Sequence, residues 1–142
     1  MVDALVERLH RTVEAEGGCL MVTTSRRTPD EVVARLRGRL QGKAHVVLNG
    51  PGDGGNLYPG MLAWADRIVC SPDSVNMVSE ACATYVPVFI AGHDQVHGRV
   101  RGFMDELVTL GRARPLEAGL APFKVEPMRE TERIARELQA RL

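Results

Sequence analysis

From Val2 onward, apolar residues recur at helical spacing at Leu5, Leu9 and Val13, and Gly17-Gly18 ends the run. "CLMVTTS" (19–25) is a continuous apolar stretch of strand length, the pattern of a parallel strand buried on both faces. "TPDE" (28–31) then predicts a helix start: Thr28 caps, Pro29 takes the first helical position and Glu31 closes a capping box. Val32, Val33, Leu36 and Leu40 supply the buried stripe of that helix. "AHVVLN" (44–49) is the next strand, "GPGDGG" (50–55) a loop, and "YPGMLAWA" (58–65) a short helix with proline near its start.

The second half repeats the alternation. "RIVCS" (67–71) predicts a strand, 74–84 a helix, and "VPVFIA" (86–91) another strand. Val100, Phe103, Met104 and Leu107 mark a helix stopped at Gly111, and Ile134, Leu138 and Leu142 a C-terminal helix. Short strands alternating with helices require crossovers that cover both faces of a parallel sheet. The expectation is one α/β, Rossmann-like three-layer domain over 1–142, with a parallel sheet of at least four strands and helices on both faces. Ligands of such folds sit outside the carboxyl ends of the strands, here Thr23–Thr28, Asn49–Asn56, Ser71–Ser74 and Gly92–His97.

Composition narrows the partners. The 142 residues carry 18 Lys plus Arg and 18 Asp plus Glu, so no bulk charge draws the chain to nucleic acid or an anionic membrane. Arginine is nonetheless clustered at Arg26/Arg27, Arg99/Arg101 and Arg112/Arg114, which leaves local anion sites open. Cys19, Cys70 and Cys82 lack metal-ligand spacing and lie in apolar runs, as buried free thiols of a reducing compartment do. The charged, amphipathic start is not a signal peptide, and no apolar run approaches membrane length. A cytoplasmic protein without membrane insertion is expected.

Three stretches hold candidate chemistry. "GPGDGG" satisfies the spelling of a dinucleotide fingerprint, but that motif needs a helix opening at its third glycine, and this loop runs on to Pro59. "TTSRRTP" (23–29) sets Thr24, Ser25, Arg26 and Arg27 at a strand's carboxyl end, where guanidinium forks suit phosphate oxygens. The plainer reading there is a capped helix with two surface arginines. In "SPDSVNMVSEA" (71–81), Asp73 or Ser74 caps a helix whose buried stripe is Val75, Val78, Ala81 and Cys82, with Met77 at its border. Asn76 and Glu80, four apart, share the other face, and a carboxylate there can hold a ribose diol; otherwise Glu80 is a solvated helix acid. His93, Asp94 and His97 have no third ligand at a matching position and read as loop residues, so no metal is expected. No serine stands in a nucleophile elbow.

Taken together, "TTSRRTP", "WADRIVCSPDSVNMVSEACATYVPVFI" and the late "GRARPLE" resemble the C-terminal half of the mitochondrial fission ELM family. That family is similar in turn to glycosyltransferases built from two Rossmann domains, whose second domain binds the nucleotide-sugar donor. The resemblance implies that Glu80 holds the ribose, and that Ser74 and the Thr24–Arg27 loop, with Asp73 and Asn76 beside them, contact a nucleotide diphosphate. It requires no cofactor. It also implies that an acceptor domain is missing, so the chain binds a nucleotide or nucleotide sugar without turning it over. If part of an enzyme, it belongs to a glycosyltransferase. One alternative is an interaction module with a decayed site, forming a homo-oligomer or meeting a missing partner domain. The other is a NAD-type domain built on "GPGDGG".

Overall fold

A computed structural model describes residues 2–72, 75–127 and 138–139. Helices and strands alternate: α1 (Val2–Glu16), β1 (Leu20–Thr23), α2 (Asp30–Leu40), β2 (Val46–Asn49), α3 (Tyr58–Trp64), β3 (Ile68–Cys70), α4 (Val75–Cys82), β4 (Val88–Ile90), α5 (Gly98–Thr109) and β5 (Ala113–Pro115). The chain divides into two compact units, Met1–Met61 and Leu62–Leu142.

In the first unit β1 and β2 pair in parallel, from Leu20 opposite Val46 to Thr23 opposite Asn49. Parallel strands cannot be joined by a tight turn, and α2 makes the crossover. α1 packs against α2, with Val6 and Leu40 buried. The Gly17-Gly18 stop holds: Gly17 is left-handed at φ 75°, and the Gly18 N–H donates to the Val13 carbonyl at 3.0 Å.

The start of α2 differs from expectation. Pro29 flanks the helix with extended ψ of 142°, the helix begins at Asp30, and no side chain caps it. The Thr28 hydroxyl has a nearer donor, the Ser25 N–H at 3.0 Å, and Glu31 pairs with Arg35 at 3.6 Å. Nor is β1 buried on both faces. All four of its residues are only half-buried, and Val47 in β2 is 39% exposed.

In the second unit β3, β4 and β5 form a parallel ladder with Ile68, Val88 and Ala113 side by side. β4 is its middle strand, and Val88, Phe89 and Ile90 are wholly buried. Around it Val75, Val78, Ala81, Cys82, Phe103, Met104 and Leu107 close a core, against which Leu138 also packs. The predicted stripe of α4 is therefore correct. The rest of the predicted C-terminal helix, including Ile134 and Leu142, lies outside the described residues.

The architecture is α/β with parallel strands, as expected, but the strands form ladders of two and three rather than one of four or more. β5 was not visible in the sequence because "ARP" has one apolar residue, and its Pro115, lacking an N–H, suits an edge strand.

Candidate functional site

At the carboxyl end of β1 a cleft of about 260 Å³ opens, lined by Thr24, Ser25, Arg26, Thr28, Asp30, Val33, Arg37 and Pro51. A tight turn builds its rim. The Thr28 N–H donates to the Ser25 carbonyl at 3.1 Å, the Ser25 N–H to Thr28 Oγ1 at 3.0 Å, and the Arg27 N–H to Ser25 Oγ at 3.1 Å. Both hydroxyls thus accept from the backbone, and they bond each other at 3.4 Å, which leaves one of their two protons for donation. Arg26 and Arg27 are exposed at the turn's apex, but only Arg26 lines the cleft.

The glycine loop borders the same cleft. Asp53 Oδ2 accepts the Gly50 N–H at 2.8 Å, and Asp53 receives Arg37 Nη2 at 2.6 and 2.7 Å through its two oxygens. The Arg37 hydrogen bond first, and the Gly50 N–H second, hold the Asp53 carboxyl below its ordinary pKa. Buried Asn49 anchors the loop from within, donating to the Gly54 carbonyl at 3.2 Å and accepting the Leu57 N–H at 3.4 Å. Gly54 and Gly55 are left-handed and the next helix opens only at Tyr58, so the dinucleotide fingerprint has no helix N-terminus at its third glycine. Sequence reasoning did not find Arg37 or Asp53. The fork needs a partner 16 residues away, which no local pattern reveals.

In the second unit Asn76 and Glu80 lie exposed on α4, on the face opposite its buried stripe. Asp73 and Ser74, expected at the helix cap, lie outside the described residues. Ser79 is buried, and its hydroxyl has no hydrogen-bond partner among the described residues. The end of α4 is closed by Arg112. Its Nε donates to the Cys82 carbonyl at 2.9 Å, Nη1 to Val86 at 3.1 Å, and Nη2 to Thr84 at 2.6 Å and Ala81 at 3.3 Å. Arg112 is buried against these carbonyls, so the Arg112/Arg114 pair is not an anion site. Arg114 instead lies over the Phe123 ring, 4.1 Å from its centre.

His93 also differs from expectation. Its Nε2 lies 2.8 Å from Asp105 Oδ1, which Arg101 Nε also donates to at 3.0 Å. Burial alone would raise the Asp105 pKa; hydrogen bonds and charge from Arg101, then His93, outweigh it and lower it. His97 flanks the start of α5 and makes no side-chain cap. Among the described residues no three His, Cys, Asp or Glu side chains group as metal ligands, and no helix is long and apolar enough to cross a membrane.

Parallel strands joined by helices define an α/β protein. The chain belongs to the mitochondrial fission ELM1 family, whose model matches residues 1–142. It is 34% identical over 136 aligned positions to the Arabidopsis thaliana protein "Mitochondrial fission protein ELM1", covering 91% of this chain and 32% of that protein. The chain thus spans about a third of that relative's length. No solved structure shows significant similarity to it.

Proposed function

We propose that this chain is a Rossmann-like nucleotide or nucleotide-sugar binding domain of a glycosyltransferase-like protein, inactive toward transfer by itself. The observation that carries this reading is the cleft at the carboxyl end of β1, where Arg26, Thr24, Ser25 and Thr28 offer donors to a diphosphate. Glu80, exposed on α4, is the carboxylate assigned to the ribose hydroxyls, and Asn76, Asp73 and Ser74 are its neighbours in sequence.

Thermal shift against uridine, guanosine and adenosine diphosphates, their sugars, and NAD tests it. A ligand at a hundred times its Kd adds about 2.7 kcal/mol, enough to raise Tm by several degrees. The expected result is a shift with one diphosphate series that Glu80→Gln reduces. Folded protein unmoved by any of them overturns the reading.

A specific observation favours a second reading, an interaction module. Trp64 and Tyr85 are 82% and 76% exposed, in the segments that lead into β3 and β4. Because Ile68 and Val88 are in register, both segments enter the same end of the ladder. Sedimentation of the wild type against a Trp64→Ser/Tyr85→Ser variant tests it: self-association lost in the variant supports this reading.

A further inference from the structure

We propose that Arg37 is a second cationic contact of the β1 cleft, that Asp53 is its positioning residue, and that the site takes a phosphoryl oxyanion. This rests on the reading above, which sets a diphosphate in the same cleft, and adds to it the roles of Arg37 and Asp53.

Arg37 lines the cleft, whereas Asp53 does not. Asp53 takes both of its hydrogen bonds from one nitrogen, Nη2. Nε and Nη1 have no acceptor among the described residues, so this grip fixes the guanidinium and leaves most of its donors for a ligand. Asp53 is itself fixed by the Gly50 N–H at 2.8 Å. A support of that kind, a carboxylate behind a planar cation, orients a binding group without entering the site.

An independent observation ties the same loop to the cleft. A Cβ on Gly50 would collide with Thr24 Oγ1, so the loop's backbone lies directly against a cleft-lining hydroxyl. The glycine loop therefore braces two lining residues, Thr24 from one side and Arg37 through Asp53.

The polar inventory selects the ligand. Ser25 and Thr28 each accept a backbone N–H and bond each other at 3.4 Å, which leaves one hydroxyl proton of the pair to donate, with that of Thr24 beside it. Two guanidiniums, Arg26 and Arg37, line the cleft with the carboxylate of Asp30, and Asp53 offsets Arg37 from behind. Such a site rewards a compact group with several acceptor oxygens and no donors, which describes a phosphate or diphosphate.

The test is calorimetric titration of the chain with inorganic pyrophosphate and with uridine diphosphate, beside the ¹⁵N signal of each arginine Nε–H. In wild type the Arg37 Nε–H resonance shifts on pyrophosphate addition, and Arg37→Lys weakens binding about tenfold or more. In Asp53→Asn, pyrophosphate moves the Arg26 resonance but no longer that of Arg37, which a merely structural role for Asp53 would not produce. Folded wild type that binds no pyrophosphate, or Arg37→Lys that binds it as tightly, overturns the proposal. Diphosphate binding that depends on Glu80 but not on Arg37 overturns it while leaving the nucleotide reading intact. Arg37-dependent pyrophosphate binding with no gain from any nucleoside supports it and removes that reading.

Discussion

Thr24 Oγ1 occupies the space in which a side chain on Gly50 would begin. Gly50 is not in the left-handed region, so the backbone itself would accept alanine and the collision is the whole difficulty. Gly50→Ala is expected to cost about 1–3 kcal/mol, the range for forcing an extra carbon into filled space. Thr24→Ala in the same molecule should return part of that loss, because it removes the obstructing oxygen. Urea unfolding of both single variants and the double variant measures the coupling; strict additivity would show that the contact is not the cause.

Acid should weaken the fold through two carboxylates. Asp53 and Asp105 both have folded pKa values below the ordinary carboxylate value. A depressed pKa contributes stability that is fully present above the unfolded value of about 4, and that is lost as pH falls below it through the folded value. Between pH 5 and pH 3 the wild type should lose more stability than Asp53→Asn or Asp105→Asn. Urea midpoints across that window decide it, and equal slopes would count against both ion pairs.

Arg112 holds four carbonyls at the end of α4. Arg112→Met keeps apolar bulk but strands the Cys82, Thr84 and Val86 carbonyls, Ala81 keeping its bonds from Thr84, at an expected cost of about 3 kcal/mol or more. Lysine, a point charge without the fork, should recover less than half of that. A chemical denaturation series over the three proteins reads the difference.

The cysteines should divide sharply in reactivity. Cys19 is exposed, contrary to the buried thiol expected from its apolar neighbours. Burial pushes the thiol of half-buried Cys70 up to about 12 and that of buried Cys82 up to about 11, so neither carries thiolate at pH 8. A disulfide reagent should modify one thiol in the native protein and all three in urea. Prompt native labelling of Cys70 or Cys82 would contradict their enclosure.

The sequence revealed what depends on near neighbours. The α4 stripe of Val75, Val78, Ala81 and Cys82 and the glycine stops after α1 and α5 are written at spacings of one to five residues, and each is found. Of the candidate stretch after β1, Thr24, Ser25 and Arg26 line a cleft. What failed depends on distant partners. Thr28 is drawn from its expected cap by a turn, β5 is a strand only because β4 lies beside it, and Arg37 faces Asp53 across a crossover. Arg112, in the late motif that resembles the family, was open as part of a local anion site until α4 supplied its acceptors.

That last arrangement has a consequence for the order of events as the chain is made. Thr84 meets the Ala81 carbonyl locally, through its N–H at 3.1 Å and its hydroxyl at 2.7 Å, whereas the carbonyls of Cys82, Thr84 and Val86 wait for a side chain 26 to 30 residues downstream. When α4 is synthesised that side chain does not yet exist, and β4 and α5 must follow before it does. The unit from α4 to β5 is therefore expected to form in one concerted step, with α4 acquiring lasting protection from hydrogen exchange only when β5 docks.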